Sequence, residues 1–482
     1  VARADRPALT ANGRGPNPDF AAGPGPTPDF AAGLGGPPST DSVADADTAR
    51  RAVEAAQRAV EAVWRIESAR IVGALARYTG DFALAEDVSQ EALAEALVAW
   101  ARDGEPANPV GWLLATARRR AIDAFRRRSA LDARYTLLAG QLAEGESSSG
   151  ALGAGAGTGR GGGSDELPWD PDRVDDDVLA LMFVACHPVL SPEARVALTL
   201  RVVGGLSSEE IARAFLVPVP TIQARITRAK KTIAAARVPF ELPPADERRD
   251  RLGGVLSVLY VIFSEGSTAT AGESLLRPDL AHEALRLARM LAAMLPDETE
   301  VHGLLALFEL TAARFPARTD PDGDPVLLED QDRRRWDRSA IRRGLAAMGR
   351  ATSAGRGLGP YGLQAAIAAC HDSAPSVAET DWERIVLLYE ALGRVAPSPV
   401  VDLNRAVAIA MAGSPEKALA AVDDLVATAR LSGSHLLPSV RGELLVRLGR
   451  ITEARAELEL AARLCRNERE RRVLERKASA LA

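Results

Sequence analysis

Between Gly204 and Ile233 the chain reads GGLSSEEIARAFLVPVPTIQARITRAKKTI, and this stretch leaves few folds open. Ser207 stands three residues before Glu210. That is the spacing of a capping box, in which each side chain satisfies the other's backbone amide at a helix start. Ile211, Ala214 and Phe215 give this first helix a buried side, and Leu216-Val-Pro-Val219 turns the chain. Pro220 suits the opening turn of a second helix, where a missing N–H costs nothing. On that second helix Ile222, Ile226, Ala229 and Ile233 share one face, while Gln223, Ala224, Thr227, Arg228 and Lys231 share the other. One side is built for a core and the other for the major groove, as a recognition helix requires. Arg228 is placed to read guanine or to hold a phosphate, and Arg225 and Lys230 to hold phosphates at the rim.

Composition extends the helical reading to the whole chain. Aromatics make up only 4% of 482 residues while Ala, Leu and Arg dominate, a balance that favours helices packed through small residues over sheet. The expected fold class is all-α, with two small helical domains followed by a helical-repeat extension. A net charge of -6 excludes a surface that binds nucleic acid everywhere, so any DNA contact must come from local basic patches. Cys186, Cys370 and Cys465 lie far apart without a CxxC pair, which argues against a disulfide framework or a zinc site and fits a reducing cytoplasm. No metal, cofactor or catalytic constellation is expected. No run approaches the roughly 20 apolar residues of a membrane span, and the first residues lack the series of a secretion signal.

Along the chain, residues 1–48 are rich in Pro, Gly and Ala and repeat Pro-Asp-Phe-Ala-Ala-Gly at Pro18 and Pro28; such a tail is expected to be disordered. Residues 51–134 carry helical periodicity. Residues 135–172 contain a Gly/Ser-rich segment and are expected to be a flexible linker, its Gly/Ser-rich part spanning roughly 25 Å. A helical block follows over 173–238. The prolines from Pro239 precede an extension over 249–350 and repeats over 356–482. Gly413 and Gly449 are 36 positions apart, as are Ala418 and Ala454. That period resembles tetratricopeptide repeats, which stack because one helix pair cannot bury its face alone.

The stretch Trp112–Arg128 adds a second basic helix. Seven arginines lie between Arg118 and Arg134, against Asp123 and Asp132. Trp112, Leu113, Ala117, Ile122 and Phe125 form its apolar side, so Trp112 reads as core before it reads as a base-stacking ring. The helix before it places Asp87, Gln90 and Glu91 at i, i+3 and i+4, one exposed acidic and amide stripe.

Together these segments resemble a sigma factor of the extracytoplasmic-function group of the sigma-70 family. AEDVSQEALAEALVAW and NPVGWLLATARRRAIDAFRRR are similar to sigma region 2, and SPEARVALTLRVVGG with the helix-turn-helix to region 4. A linker stands where region 3 would be. RLGGVLSVLYVIFSEG from Arg251, LLEDQDRRRWDR and the repeats resemble the subgroup with a helical C-terminal extension. The resemblance implies a transcription initiation factor, not an enzyme, with core RNA polymerase (beta-prime clamp and beta flap) and promoter DNA as partners. It implies that Asp87, Gln90 and Glu91 dock on the beta-prime clamp. Arg118, Arg119 and Arg120 match positions that meet the minus-ten element, and the helix continuing through Arg126, Arg127 and Arg128 follows the DNA backbone. Gln223, Ala224, Arg225, Thr227, Arg228 and Lys231 fall to the minus-thirty-five element. Arg119 stands where many relatives have Asn, and Pro220 where they have Gly.

Glu329–Arg338 packs acids and arginines around Trp336. It reads either as a site for a protein or small-molecule partner or as a salt-bridged loop. The extension is expected to regulate the sigma portion. A rival reading is a one-component helix-turn-helix regulator whose repeats sense a ligand or partner. It leaves the arginine helix and the acidic stripe without a role. A second rival is an enzyme or scaffold fused to a degenerate sigma.

Overall fold

A computed structural model describes residues 40–144, 174–269, 271–353, 357–428, 431 and 433–481. The expected tail up to residue 39 and the linker over 145–172 lie outside the described residues. The chain divides into two units, Val1–Arg51 and Ala52–Ala482. Within the first, the described residues are helical, so the last residues expected as tail are not irregular. No Pro or Gly follows Pro38 until Gly73, which leaves an Ala-rich run free to propagate a helix.

The described residues form eighteen α-helices and no strand. The first three are α1 (Thr40–Thr79), α2 (Phe82–Asp103) and α3 (Pro109–Glu144); then come α4 (Val174–Ala185), α5 (Pro192–Val202), α6 (Ser208–Ala214) and α7 (Val219–Ala235). The extension contains α8 (Ala245–Ser267), α9 (Pro278–Met294), α10 (Thr299–Ala313), α11 (Arg338–Ser353) and α12 (Pro360–Ser373). It ends with α13 (Trp382–Val395), α14 (Pro399–Met411), α15 (Pro415–Ala427), α16 (Leu436–Arg447), α17 (Ile451–Leu464) and α18 (Glu468–Ser479). Helix α3 runs to Glu144, well into the segment expected as linker. Between residue 135 and Gly145 the only helix breaker is Gly140, and one glycine costs only about 1 kcal/mol.

One apolar core runs from α1 through α12. Helix α4 packs on α8 and α9, and α5 on α8. Phe263 and Phe308 stack at its centre, with ring centroids 4.0 Å apart. Smaller cores join α12–α14 and α14–α17. The 36-residue period appears as two helix–turn–helix units, α14–α15 and α16–α17. Gly413 (φ 92°) and Gly449 (φ 71°) end the first helix of each, a left-handed conformation that a side chain would strain.

Trp336 is buried, 3% exposed. The Glu329–Arg338 segment is therefore anchored by its ring and does not present it to a partner. Arg333 lies over that ring at 4.6 Å and donates to the carbonyls of His371 (2.7 Å) and Ala374 (2.6 Å). Arginine and tryptophan together pin the loop to the end of α12.

Candidate nucleic-acid interface

The capping box forms as the spacing implies. Ser207 Oγ accepts from the Glu210 amide at 3.1 Å, and Glu210 Oε2 from the Ser207 amide at 2.8 Å. The adjoining Gly205 has φ 69°, and an added Cβ would come within 3.0 Å of the Trp64 carbonyl on α1. Glycine is needed there for conformation and for space. On α7, Ile222, Ile226, Ala229 and Ile233 are buried. Gln223, Ala224, Thr227, Arg228 and Lys231 are exposed, and Arg228 Nε donates within its own helix, to the Ala224 carbonyl at 3.2 Å. Arg225 is half-buried and lines a hollow beside Glu193 of α5.

Several α3 arginines pair with acids, Arg119 with Glu95 at 3.7 Å among them. Leu113, Leu114, Ala117 and Ala121 bury one side of α3. Trp112 packs edge-on against Trp100 at 5.8 Å, which places its ring against α2. Arg118 lies over the Tyr78 ring at 5.3 Å. Arg119 donates to Thr116 at 3.0 Å. Arg120 bridges Glu95 at 2.8 Å and Glu91 at 3.9 Å. Arg126 pairs with Asp123 at 3.9 Å. Arg128 reaches Asp81, the N-cap of α2, at 3.6 Å. Arg127 is exposed.

Of the stripe on α2, Asp87 faces α7 and Gln90 faces α5, while Glu91 lies on the side of Arg120 of α3. Glu86 is almost fully buried beside the stripe and is the node of a charge network. Lys230 Nζ reaches Glu86 at 2.7 Å and Asp87 at 2.6 Å. Arg201 lies 3.6 Å from Glu86 and donates to Gln90 at 2.5 Å. Arg77 pairs with Asp177 at 3.0 Å, and Arg65 with Glu210. Burial opposes the charge on Lys230, but Glu86 and Asp87 outweigh it and hold its pKa above the ordinary lysine value.

Residues 64–130 match sigma-70 region 2, residues 180–233 match sigma-70 region 4, and residues 251–352 match a family of unknown function (DUF6596). An uncharacterized protein of Rhizobium meliloti (strain 1021) is 44% identical over 398 residues, 82% of this chain and 89% of that protein. The chain belongs to the extracytoplasmic-function sigma factors of the sigma-70 family, in the subgroup with a helical C-terminal extension. It is also 26% identical over 189 residues to the probable ECF RNA polymerase sigma factor SigI of Mycobacterium tuberculosis (strain ATCC 25618 / H37Rv), covering 39% of this chain and 59% of that one. No solved structure matches.

In this sigma factor the region 4 helix-turn-helix and the region 2 arginine helix are both present as the sequence implies. Lys230, expected at a phosphate rim, here reaches across to Glu86 of α2, 144 residues away in sequence. Glu86 and Arg201 were missed. Glu86 lies on the buried side of α2, and its neighbours in sequence give no sign of a partner. No described helix is long and apolar enough to cross a membrane.

Proposed function

We propose that this sigma factor docks on the beta-prime clamp of core polymerase through Asp87, Gln90 and Glu91, with region 4 directed to the beta flap. In this reading Arg118, Arg119 and Arg120 meet the minus-ten element, with Arg126, Arg127 and Arg128 along the backbone. The exposed face of α7 reads the minus-thirty-five element. The arrangement described above is then a closed state. The observation that carries it is the seat of Lys230 and Arg201 on Glu86, Asp87 and Gln90: region 4 occupies the surface that polymerase needs. The extension acts in cis, because α8 and α9 hold region 4 in that position. Opening requires the clamp to offer the stripe replacements for these two cations.

Run-off transcription by the full chain with core polymerase tests the factor as a whole. A one-component regulator would bind its DNA without core and yield no transcript. Asp87→Lys with Glu91→Lys should leave the fold intact and abolish co-purification with core. Unchanged co-purification would refute docking through the stripe. Arg228→Ala should cost about 1–3 kcal/mol at one promoter position if Arg228 reads a base; a uniform loss over all sequences would make it a phosphate contact.

A further inference from the structure

Three ligand-type side chains from three separate helices meet at the end of the repeats. His435 precedes α16, Cys465 ends α17 and Glu470 lies in the first turn of α18. Their donor atoms all lie within 4.8 Å of one another. Glu470 Oε2 is 3.5 Å from His435 Nε2 and 3.8 Å from Cys465 Sγ. A tetrahedral zinc site has Zn–N and Zn–O bonds of about 2.0 Å and a Zn–S bond of about 2.3 Å, so its donor atoms stand roughly 3.3–3.6 Å apart. These two separations exceed that edge by only a few tenths of an ångström.

The surroundings fix the donors. Cys465 is buried. Asn467, two residues on and 1% exposed, is locked by donating to the carbonyls of Ala269 and Ser274 at 3.1 and 3.0 Å. Its side chain also caps α18 by accepting from the Arg469 and Glu470 amides. The turn that carries Cys465 and Glu470 is thus tied to the α8–α9 connection. His435 and Glu470 also line an apolar cavity of about 430 Å³ with Leu327, Trp382 and Leu474.

We propose that His435, Cys465 and Glu470 form a site for a zinc-like divalent metal ion. One nitrogen, one thiolate and one carboxylate fill three tetrahedral positions and leave the fourth for water or for a donor atom of a molecule in the cavity. A closed structural site would use four protein ligands, so three with an opening beside a cavity mark a site that accepts an exogenous ligand. Binding exchanges the Cys465 thiol proton, released to solvent, for the metal–sulfur bond. The site ties α16, α17 and α18 together where they meet the α8–α9 connection, so metal also stiffens the joint between the repeats and the rest of the extension. Sequence spacing hides it: Cys465 and Glu470 are near neighbours, but His435 comes from the preceding helix pair.

The test uses the full chain, free of any histidine tag and stripped by a chelator. Titration with Zn²⁺ against a chromophoric chelator should give about one equivalent bound. Co²⁺ should give the visible bands of a tetrahedral ion and a thiolate charge-transfer band. Cys465→Ser should abolish the charge-transfer band, and Cys370→Ser should keep it. His435→Ala and Glu470→Gln should each weaken binding about 10-fold or more. His435 is partly exposed, so its variant keeps the test valid should Cys465→Ser fail to fold. Absence of stoichiometric binding, or equal binding by wild type and His435→Ala, would overturn the proposal.

Discussion

Region 4 shares the apolar core with both neighbours, but it meets α2 through an added charged seam and meets the extension through apolar packing in which α4 and α5 lie on α8 and α9. On the α2 side lie Lys230 and Arg201 with Glu86, Asp87 and Gln90, and Asp87 and Glu91 stay largely exposed to water. On the other side α4 and α5 pack on α8 and α9 within the continuous core, helped by Arg286 Nη2 on the Val203 carbonyl at 3.3 Å. A charged seam can be taken over by another charged surface, because cations on that surface can replace Lys230 and Arg201 at Glu86, Asp87 and Gln90 and leave no buried charge unpaired. An apolar joint cannot be exchanged without exposing area to water at about 25 cal/mol per Å². Region 4 should therefore move with the extension, and region 2 should be the part that separates.

The joint gives the largest effect. Val258 of α8 is buried and lines the hollow against α5 with Val196 and Ile222. Val258→Asp puts an unpaired charge there and should cost about 3 kcal/mol or more. Limited proteolysis should then cut residues 174–238 and residues 245–350 together. Cuts confined to one of the two would mean that they are independent units.

Next is a charge inside the extension that, unlike those of the seam, is poorly satisfied. Neither oxygen of buried Asp372 accepts a hydrogen bond, and Arg314 Nε lies 3.6 Å away. Burial outweighs the nearby arginines and pushes its pKa up to about 6. A carboxyl group raised in this way favours the folded state while protonated. Its contribution is complete below about pH 4 and is lost as pH rises through about 6. Two pKa units correspond to about 3 kcal/mol. Relative to wild type, Asp372→Asn should therefore gain thermal stability as pH rises from 4 to 7; a difference that does not change with pH would refute it.

Much of this contrast was legible before folding, but not evenly. The capping box, the two faces of α7 and the 36-residue period depend on residues near in sequence, where helical geometry alone decides the neighbours. The stripe was legible as a stripe. What could not be read was its occupant, because Lys230 belongs equally well to a basic helix that holds DNA. Trp336 stayed open for the opposite reason: its flanking charges allowed a partner site as well as a salt-bridged loop, and only the fold turns Arg333 inward over the ring. The ends of α1 and α3 were missed because composition reports the Gly-rich segment, not where the helix beside it stops.

A smaller effect separates the two roles open to Lys230. Lys230→Glu sets a third acid beside Glu86 and Asp87 and should weaken the seam by about 1–3 kcal/mol. In the closed-state reading, a fluorescence-pair distance between α2 and α7 lengthens and affinity for core polymerase rises. If Lys230 instead serves as a phosphate contact, core affinity stays constant and promoter binding falls. Core affinity rises in the first case and is unchanged in the second, so a single variant decides between them.

The smallest effect expected is none, and it sharpens the same contrast. Lys230 is held above its ordinary value by Glu86 and Asp87 against the opposing pull of burial. A lysine raised in the folded state stabilises it fully below the unfolded value of about 10.4, and that contribution is lost only as pH climbs through the higher folded value. The distance between α2 and α7 should therefore stay constant from pH 6 to about pH 9 and lengthen only in stronger alkali. Salt should act weakly on the Lys230–Glu86 pair over the same range, because Glu86 is buried and Lys230 half-buried, and such pairs are screened less than exposed ones. Proton and salt are thus poor openers of this seam, which leaves competition by another surface as the effective one. A seam that opened between pH 6 and 8 would show that a different titrating group controls it and would remove Lys230 from the centre of the closed state.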